Sequence, residues 1–173
     1  MTTLPDQRGF TLIELIVVVV VLGILVAIGT LGLKQSMDGY NLALASARST
    51  QKAQNALDRI IIELSHITFN SSLLRYNISA GTAGSITYTA NFGGADETHT
   101  IDQNGNLVRF DTDDTQPLTD SVVTNGLQFT YWDGNGNAVG ATNSNMRLIE
   151  ITLTIQVTPT ATRTYNTRVA VQQ

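Results

Sequence analysis

Residues 10–33 read FTLIELIVVVVVLGILVAIGTLGL, and this run constrains the chain more than any other feature. Eighteen of its 24 residues are hydrophobic, and Glu14 is its lone charge. As a helix rising 1.5 Å per residue it is about 36 Å long, enough to cross a bilayer. The five valines at 17–21 favour strand, but in lipid a single segment satisfies its own backbone only as a helix. Outside the run 55 of 149 residues, or 37%, are hydrophobic. The mean hydropathy of +0.05 therefore averages a membrane-like segment and a polar soluble domain. A length of 173 residues suits one ordinary domain with an appendage.

Fourteen acidic against ten basic residues argue against a nucleic-acid binder, which needs a basic stripe. There is no cysteine, so disulfides and thiolate chemistry are excluded and the domain is held by its own core.

Beyond Lys34 the helical pattern continues without proline to residue 66. Leu57, Ile60, Ile61, Leu64 and Ile67 recur at the spacing of an amphipathic stripe. Arg59 and Glu63 form an i,i+4 pair expected on the wet side, where such pairs are worth a few tenths of a kcal/mol. Gly39 weakens the helix by about 1 kcal/mol relative to alanine and could allow a bend. One helix of roughly 55 residues follows, apolar first and amphipathic second.

After Asn70 threonine and asparagine dominate, which suits strands and turns. The clearest strand is 149–157, where Ile149, Ile151, Leu153, Ile155 and Val157 alternate with polar residues. Tyr165, Thr167, Val169 and Val171 repeat the pattern, as do Leu127, Phe129 and Tyr131. Weaker strands are expected at 73–79, 85–90, 97–102 and 107–111, with a hairpin at the Asn-Gly of Asp102-Gln103-Asn104-Gly105-Asn106. Residues 134–145 read as a loop. The fold class is α+β: a long N-terminal helix covering the dry face of one antiparallel sheet, with Leu57, Ile60, Ile61 and Leu64 in the helix–sheet core.

The residues Arg8-Gly9-Phe10-Thr11-Leu12-Ile13-Glu14-Leu15 resemble the prepilin signal of type IV pilins and type II secretion pseudopilins. That pattern is a short basic leader ending in glycine, then Phe-Thr-Leu-Ile-Glu, then an apolar helix. A general secretory signal would place a small-x-small cleavage site after its apolar core. Ala27-Ile28-Gly29 fits that loosely, but the run continues past it and Glu14 interrupts it. The resemblance implies a type IV pilin-like fold and four segments: a leader (1–9), a transmembrane and assembly helix (10–33), an amphipathic helix (34–69) and a globular antiparallel β domain (70–173). It implies cleavage after Gly9 by a prepilin peptidase at the cytoplasmic face and N-methylation of Phe10. The mature chain then keeps the net charge of −4, because Asp6 and Arg8 leave together. It further implies insertion in the inner membrane with the N-terminus cytoplasmic and the β domain periplasmic or extracellular. Transfer to a filament would follow, with an inner-membrane assembly platform and other pilin or pseudopilin subunits as partners.

In the same family picture Glu14 meets the new α-amine of a neighbouring subunit, with Thr11 beside it. An amine of pKa ~8 is largely charged at neutral pH. A pair at 4 Å gains on the order of 4 kcal/mol at an effective dielectric of 20, but desolvation consumes much of that. Glu14 therefore reads as a register device. Leu31 stands where many major pilins have proline, and the chain lacks the C-terminal disulfide common in them. Ala53-Gln54-Asn55-Ala56-Leu57-Asp58-Arg59-Ile60 and residues 122–136 resemble W-type minor pilins and J-type minor pseudopilins, which implies a low-copy subunit that initiates the filament or sits at its tip. The rivals are a type II secretion minor pseudopilin and a tethered β-domain binding module.

No phosphate loop, HExxH or serine elbow is present, and no cofactor, metal or enzymatic activity is expected. His66 and His99 lie far apart in sequence. Asp133-Gly134-Asn135-Gly136-Asn137 starts like a calcium loop but has Ala138 and Ser144 where glycine and glutamate are needed, so a turn explains it better. Asp111, Asp113 and Asp114 read as a solvated loop, with calcium as the alternative. Trp132 is either an interface anchor or a cross-strand cover.

Overall fold

The computed structural model describes residues 11–171. One helix, α1 (Leu12–Ser65), is followed by ten strands, an α+β layout consistent with a type IV pilin-like fold. The chain divides into two compact units, Met1–Leu44 and Ala45–Gln173, and α1 runs unbroken through Gly39. In the first unit every described residue is exposed. Thr30 and Ser36 satisfy their hydroxyls within the helix, donating to the carbonyls of Ala27 and Gly32 at 2.9 and 3.0 Å.

In the second unit α1 buries Ser49, Ala53, Ala56, Leu57, Ile60, Glu63 and Leu64. These sit three or four residues apart, as one face of a 3.6-residue period demands. Ile61 is half-buried against the same core, whereas Ile62 is exposed. Glu63 corrects the expected wet-side pair: it is only 2% exposed because it falls in the buried stripe one turn after Ile60. The helix closes with i→i+3 bonds from the His66 and Ile67 amides to the Glu63 and Leu64 carbonyls. It thus ends at Ser65, short of residue 69, and Phe69 is already in a strand.

Two four-stranded antiparallel sheets replace the single sheet expected. A two-stranded ribbon, β1 (Phe69–Asn70) with β2 (Arg75–Tyr76), leads into them. The first sheet is a meander of β3 (Ile78–Thr82), β4 (Ser85–Ala90), β5 (Glu97–Asn104) and β6 (Leu107–Phe110). Ile86, Tyr88 and Ala90 alternate into the core. The β5–β6 loop is Gly105-Asn106, with Asn104 paired to Leu107. Gly105 holds φ +60°, as a two-residue turn with glycine first requires.

The second sheet has the order β10-β9-β7-β8, from β7 (Val122–Asp133), β8 (Ala138–Val139), β9 (Met146–Thr158) and β10 (Ala161–Ala170). Ile149, Ile151, Leu153 and Ile155 of β9 are fully buried, and Thr152 and Thr154 face outward. The pairing of β7 with β9 is interrupted by a bulge in β7. Val122 pairs with Ile155 but Leu127 already with Leu153, so residues 123–126 leave the ladder. Gly126 is required there: a Cβ would lie 2.6 Å from the Thr154 carbonyl oxygen. Gln103 of β5 then ties the sheets together. Its Oε1 accepts the Leu127 amide at 2.9 Å, and its Nε2 donates to the Val123 and Gly105 carbonyls. The Phe129 amide donates to the Ala83 carbonyl at 2.7 Å.

Two further expectations are corrected. Residues 73–79 are not one strand, because the Asn70 side-chain oxygen accepts the Ser72 and Leu73 amides and turns the chain. The stretch 134–145 is not wholly loop: Ala138 and Val139 pair with Trp132 and Tyr131.

Candidate functional site

The first candidate is α1 of the first unit. Thr11 precedes the helix, and its carbonyl accepts the Glu14 and Leu15 amides at 3.1 and 3.3 Å. Glu14 lies in the first turn, where a carboxylate complements the positive helix end. Thr11-Leu12-Ile13-Glu14 also has the spacing of a capping box. From Leu12 to Leu33 the large side chains are uncovered on all sides; Leu12 is 77% exposed and Leu33 71%. An 18-residue window of this helix averages a hydropathy of 3.1. A helix apolar all round needs lipid or other protein as its surroundings. Arg8, Gly9 and Phe10 lie outside the described residues.

The second candidate lies within the second unit, where the first sheet meets α1. Arg59, Ile62, Glu63, Phe92, Glu97, His99 and Phe110 line a cleft of about 330 Å³, with the Glu97 carboxylate 3.7 Å from His99 Nε2. Glu63 Oε1 accepts from Arg59 at 2.8 Å, and Tyr88 Oη donates to its Oε2 at 3.4 Å. Arg59 also lies 5.8 Å from the Phe110 ring centroid. Burial, reinforced by the Glu63 charge, pushes the Tyr88 hydroxyl well above the usual phenol range. His99 stacks on Phe110 at 4.9 Å and places Nδ1 2.7 Å from Asp111. His66 stacks on Phe92 at 4.5 Å instead. This cleft pairs an internal cation with its carboxylate and presents no nucleophile beside a base.

The remaining candidate residues are engaged locally. Asp113 accepts from the Thr115 hydroxyl and amide, and Asp114 accepts from Asn104 and Arg109. These bonds hold both carboxyls below the ordinary range, and with Asp111 bonded to His99 the three do not converge. Asp133 accepts the Asn137 and Asn135 amides at 2.8 and 2.9 Å, which lowers its pKa and closes a turn with Gly136 at φ +83°. Among the described residues no three His, Cys, Asp or Glu side chains gather as a metal site. Trp132 is half-buried; its backbone pairs with Leu148 and Ala138, and Arg168 lies 5.4 Å from its ring centroid, an arrangement that fits a cross-strand cover.

The comparison with protein families bears on the first of these candidates. Residues 4–30 match the model of the prokaryotic N-terminal methylation motif. The chain carries the signal of a type IV pilin or pseudopilin. No curated protein and no solved structure matches it significantly. The pilin-type signal marks a structural subunit, not an enzyme, and implies processing by prepilin peptidase and assembly with other pilin subunits. Signal and apolar helix together point to a chain anchored in a membrane and then drawn into a filament. The matched residues fall entirely in the first unit.

Proposed function

We propose that this chain is a minor subunit of a type IV pilus or related filament, positioned at initiation or at the tip. Prepilin peptidase cuts after Gly9 and Phe10 becomes the methylated N-terminus. The segments are the leader (1–9), the assembly helix (10–33), the amphipathic helix and the β domain, with the N-terminus inserted cytoplasmic and the domain across the inner membrane. Glu14 sets register against a neighbour's α-amine, beside Thr11, and the assembly platform of the inner membrane lifts the subunit. The observation that carries this reading is the methylation motif at 4–30 on a helix uncovered as far as Leu44. Leu31 in place of proline, the lack of cysteine and the segment 122–136 support a minor over a major subunit. A J-like pseudopilin of type II secretion shares all these features and differs in the machine it joins.

Intact-mass measurement on protein taken from membranes tests the reading. A mature N-terminus at Phe10 carrying one methyl group is expected; a chain retaining Met1 would sink it. Glu14→Val tests register: it is expected to leave cleavage and the β domain intact and to be lost from filaments. Incorporation at the wild-type level would remove Glu14 from that role.

A further inference from the structure

Strand β10 ends the second sheet with its far edge open. It pairs with β9 alone, and among the described residues no other backbone group bonds to residues 161–170. Two bonds fix which groups face that edge. The Val171 amide donates to the Arg147 carbonyl, and on the other side of β9 the Gln156 amide donates to the Ser121 carbonyl. Antiparallel pairs alternate between bonded and non-bonded, and Val171 continues the register in which Val169 faces Ile149. The odd residues 163 to 169 therefore bond to β9. Thr162, Thr164, Asn166, Arg168 and Ala170 turn their N–H and C=O groups outward.

An edge of this length is a template for another strand unless it is guarded by proline, lysine, bulges or inward charges. Between 161 and 170 there is no proline and no lysine, and the one irregularity is at the start, between Ala161 and Thr162. The two arginines are turned to the sheet's faces. Arg168 is bound to Glu150 at 2.9 Å and lies over Trp132, while Arg163 reaches Thr50 at 3.5 Å. The other outer strands are unlike this one. β6 is covered by bonds between Val108 and residues 118 and 119, β8 has two residues, and β3 has five residues against ten in β10, with a register irregularity between Ile78 and Ala80.

We propose that the β10 edge accepts an extended segment of an adjoining pilin-type subunit by strand addition. The chemistry of the edge selects that segment. Its outer flank is Thr162, Thr164 and Asn166, which suits a polar, β-branched strand. Arg163 has no carboxylate partner among the described residues, so an acidic residue belongs opposite it. The inference rests on the assembly reading above.

The test uses Asn166→Pro in the full chain, with Asn166→Ala as its control. Proline is tolerated where the N–H faces away from the sheet, so both variants are expected to fold. Folding is read on residues 45–173, which contain every buried core residue from Ser49 to Val171. In cells that make the protein, N166P is expected to fall at least about tenfold in filaments relative to N166A, the loss of roughly one strand hydrogen bond and more. Equal incorporation of the two folded variants overturns the proposal. If N166P fails to fold, hydrogen exchange on the wild-type chain decides. The amides of Thr162, Thr164, Asn166, Arg168 and Ala170 exchange freely in the isolated domain and are expected to be protected in filaments; continued free exchange overturns the proposal. A wild-type chain that keeps Met1 and stays out of filaments overturns the assembly reading and this inference with it. Dimerisation of residues 45–173 that N166P abolishes would assign the edge to a second copy and overturn the adjoining-subunit occupant.

Discussion

The two halves of α1 have the same secondary structure and opposite fates. From Leu12 to Leu44 no side chain is buried, although this is the more hydrophobic half. From Ala45 to Ser65 seven side chains are buried, two of them the polar Ser49 and Glu63. Apolar content therefore tells which surroundings a helix segment needs, and periodicity tells whether it has a core within its own chain. The first half is apolar all round as far as Leu33 and has none, so it needs lipid or other protein as its surroundings. The second half carries a stripe, and its own sheets cover it.

The largest effect should separate the halves directly. Ile60 is fully buried, so Ile60→Ala removes core contacts and leaves a cavity, costing about 2–5 kcal/mol. Ile16 is 53% exposed, and Ile16→Ala should leave domain stability within about 0.5 kcal/mol. Urea unfolding of the full chain in detergent, followed by fluorescence of the lone Trp132, reads the second unit in both variants. Equal losses would break the distinction between the halves.

Glu63 offers the next effect. Breaking a fully buried ion pair costs about 3–5 kcal/mol, whereas replacing both partners with well-packed apolar residues is often neutral or stabilising. Arg59 is more than half exposed and its site is partly wet, so Arg59→Ala should cost less, about 1–2 kcal/mol. Glu63→Leu removes the buried charge but leaves the fully buried Tyr88 hydroxyl without its acceptor, so it should lose about 1–3 kcal/mol in the same unfolding assay, and adding Tyr88→Phe should recover most of that loss. A double variant as unstable as Glu63→Leu alone would mean that the carboxylate does not act through its bond with Tyr88.

The difference between the halves also explains what could be read without a structure. The apolar run, the stripe of Leu57, Ile60 and Leu64, and the two-residue alternation from Ile149 to Ile155 are local patterns, and each appears as an element. Glu63 was misplaced because its charge signals water, while its position one turn after Ile60 signals the core. Position prevails because Arg59 and Tyr88, one local and one 25 residues away, neutralise the burial. The division into two sheets was not legible at all. Where the two sheets meet, Gly126 lies against the Thr154 carbonyl and Gln103 bonds Leu127 and Val123, contacts with no periodic trace. The assembly residues stand apart again. Gly9 and Phe10 are legible only as a motif, by their place in the run from Arg8 to Leu15.

The smallest effect sharpens the comparison at the helix surface. Lys52 in the second half bonds Asp120 at 2.6 Å, with both side chains about half exposed. That hydrogen bond holds the Asp120 carboxyl below its ordinary value, against a smaller desolvation effect. A carboxyl lowered on folding adds stability that is present above its unfolded value, near 3.9, and lost as pH falls through the folded one. For an exposed pair the gain is about 0.2–1 kcal/mol. Asp120→Asn should thus melt slightly below wild type at pH 6, and the gap should close as the pH drops below about 4. Reading the gap between the two proteins cancels the parallel titrations of Asp113, Asp114 and Asp133, which are lowered in the same direction. Lys34, the cation that ends the apolar half, makes no ion pair among the described residues. Lys34→Ala should leave domain melting unchanged across the same pH range. A pH-dependent loss there would mean that the first half of α1 contributes to the domain after all.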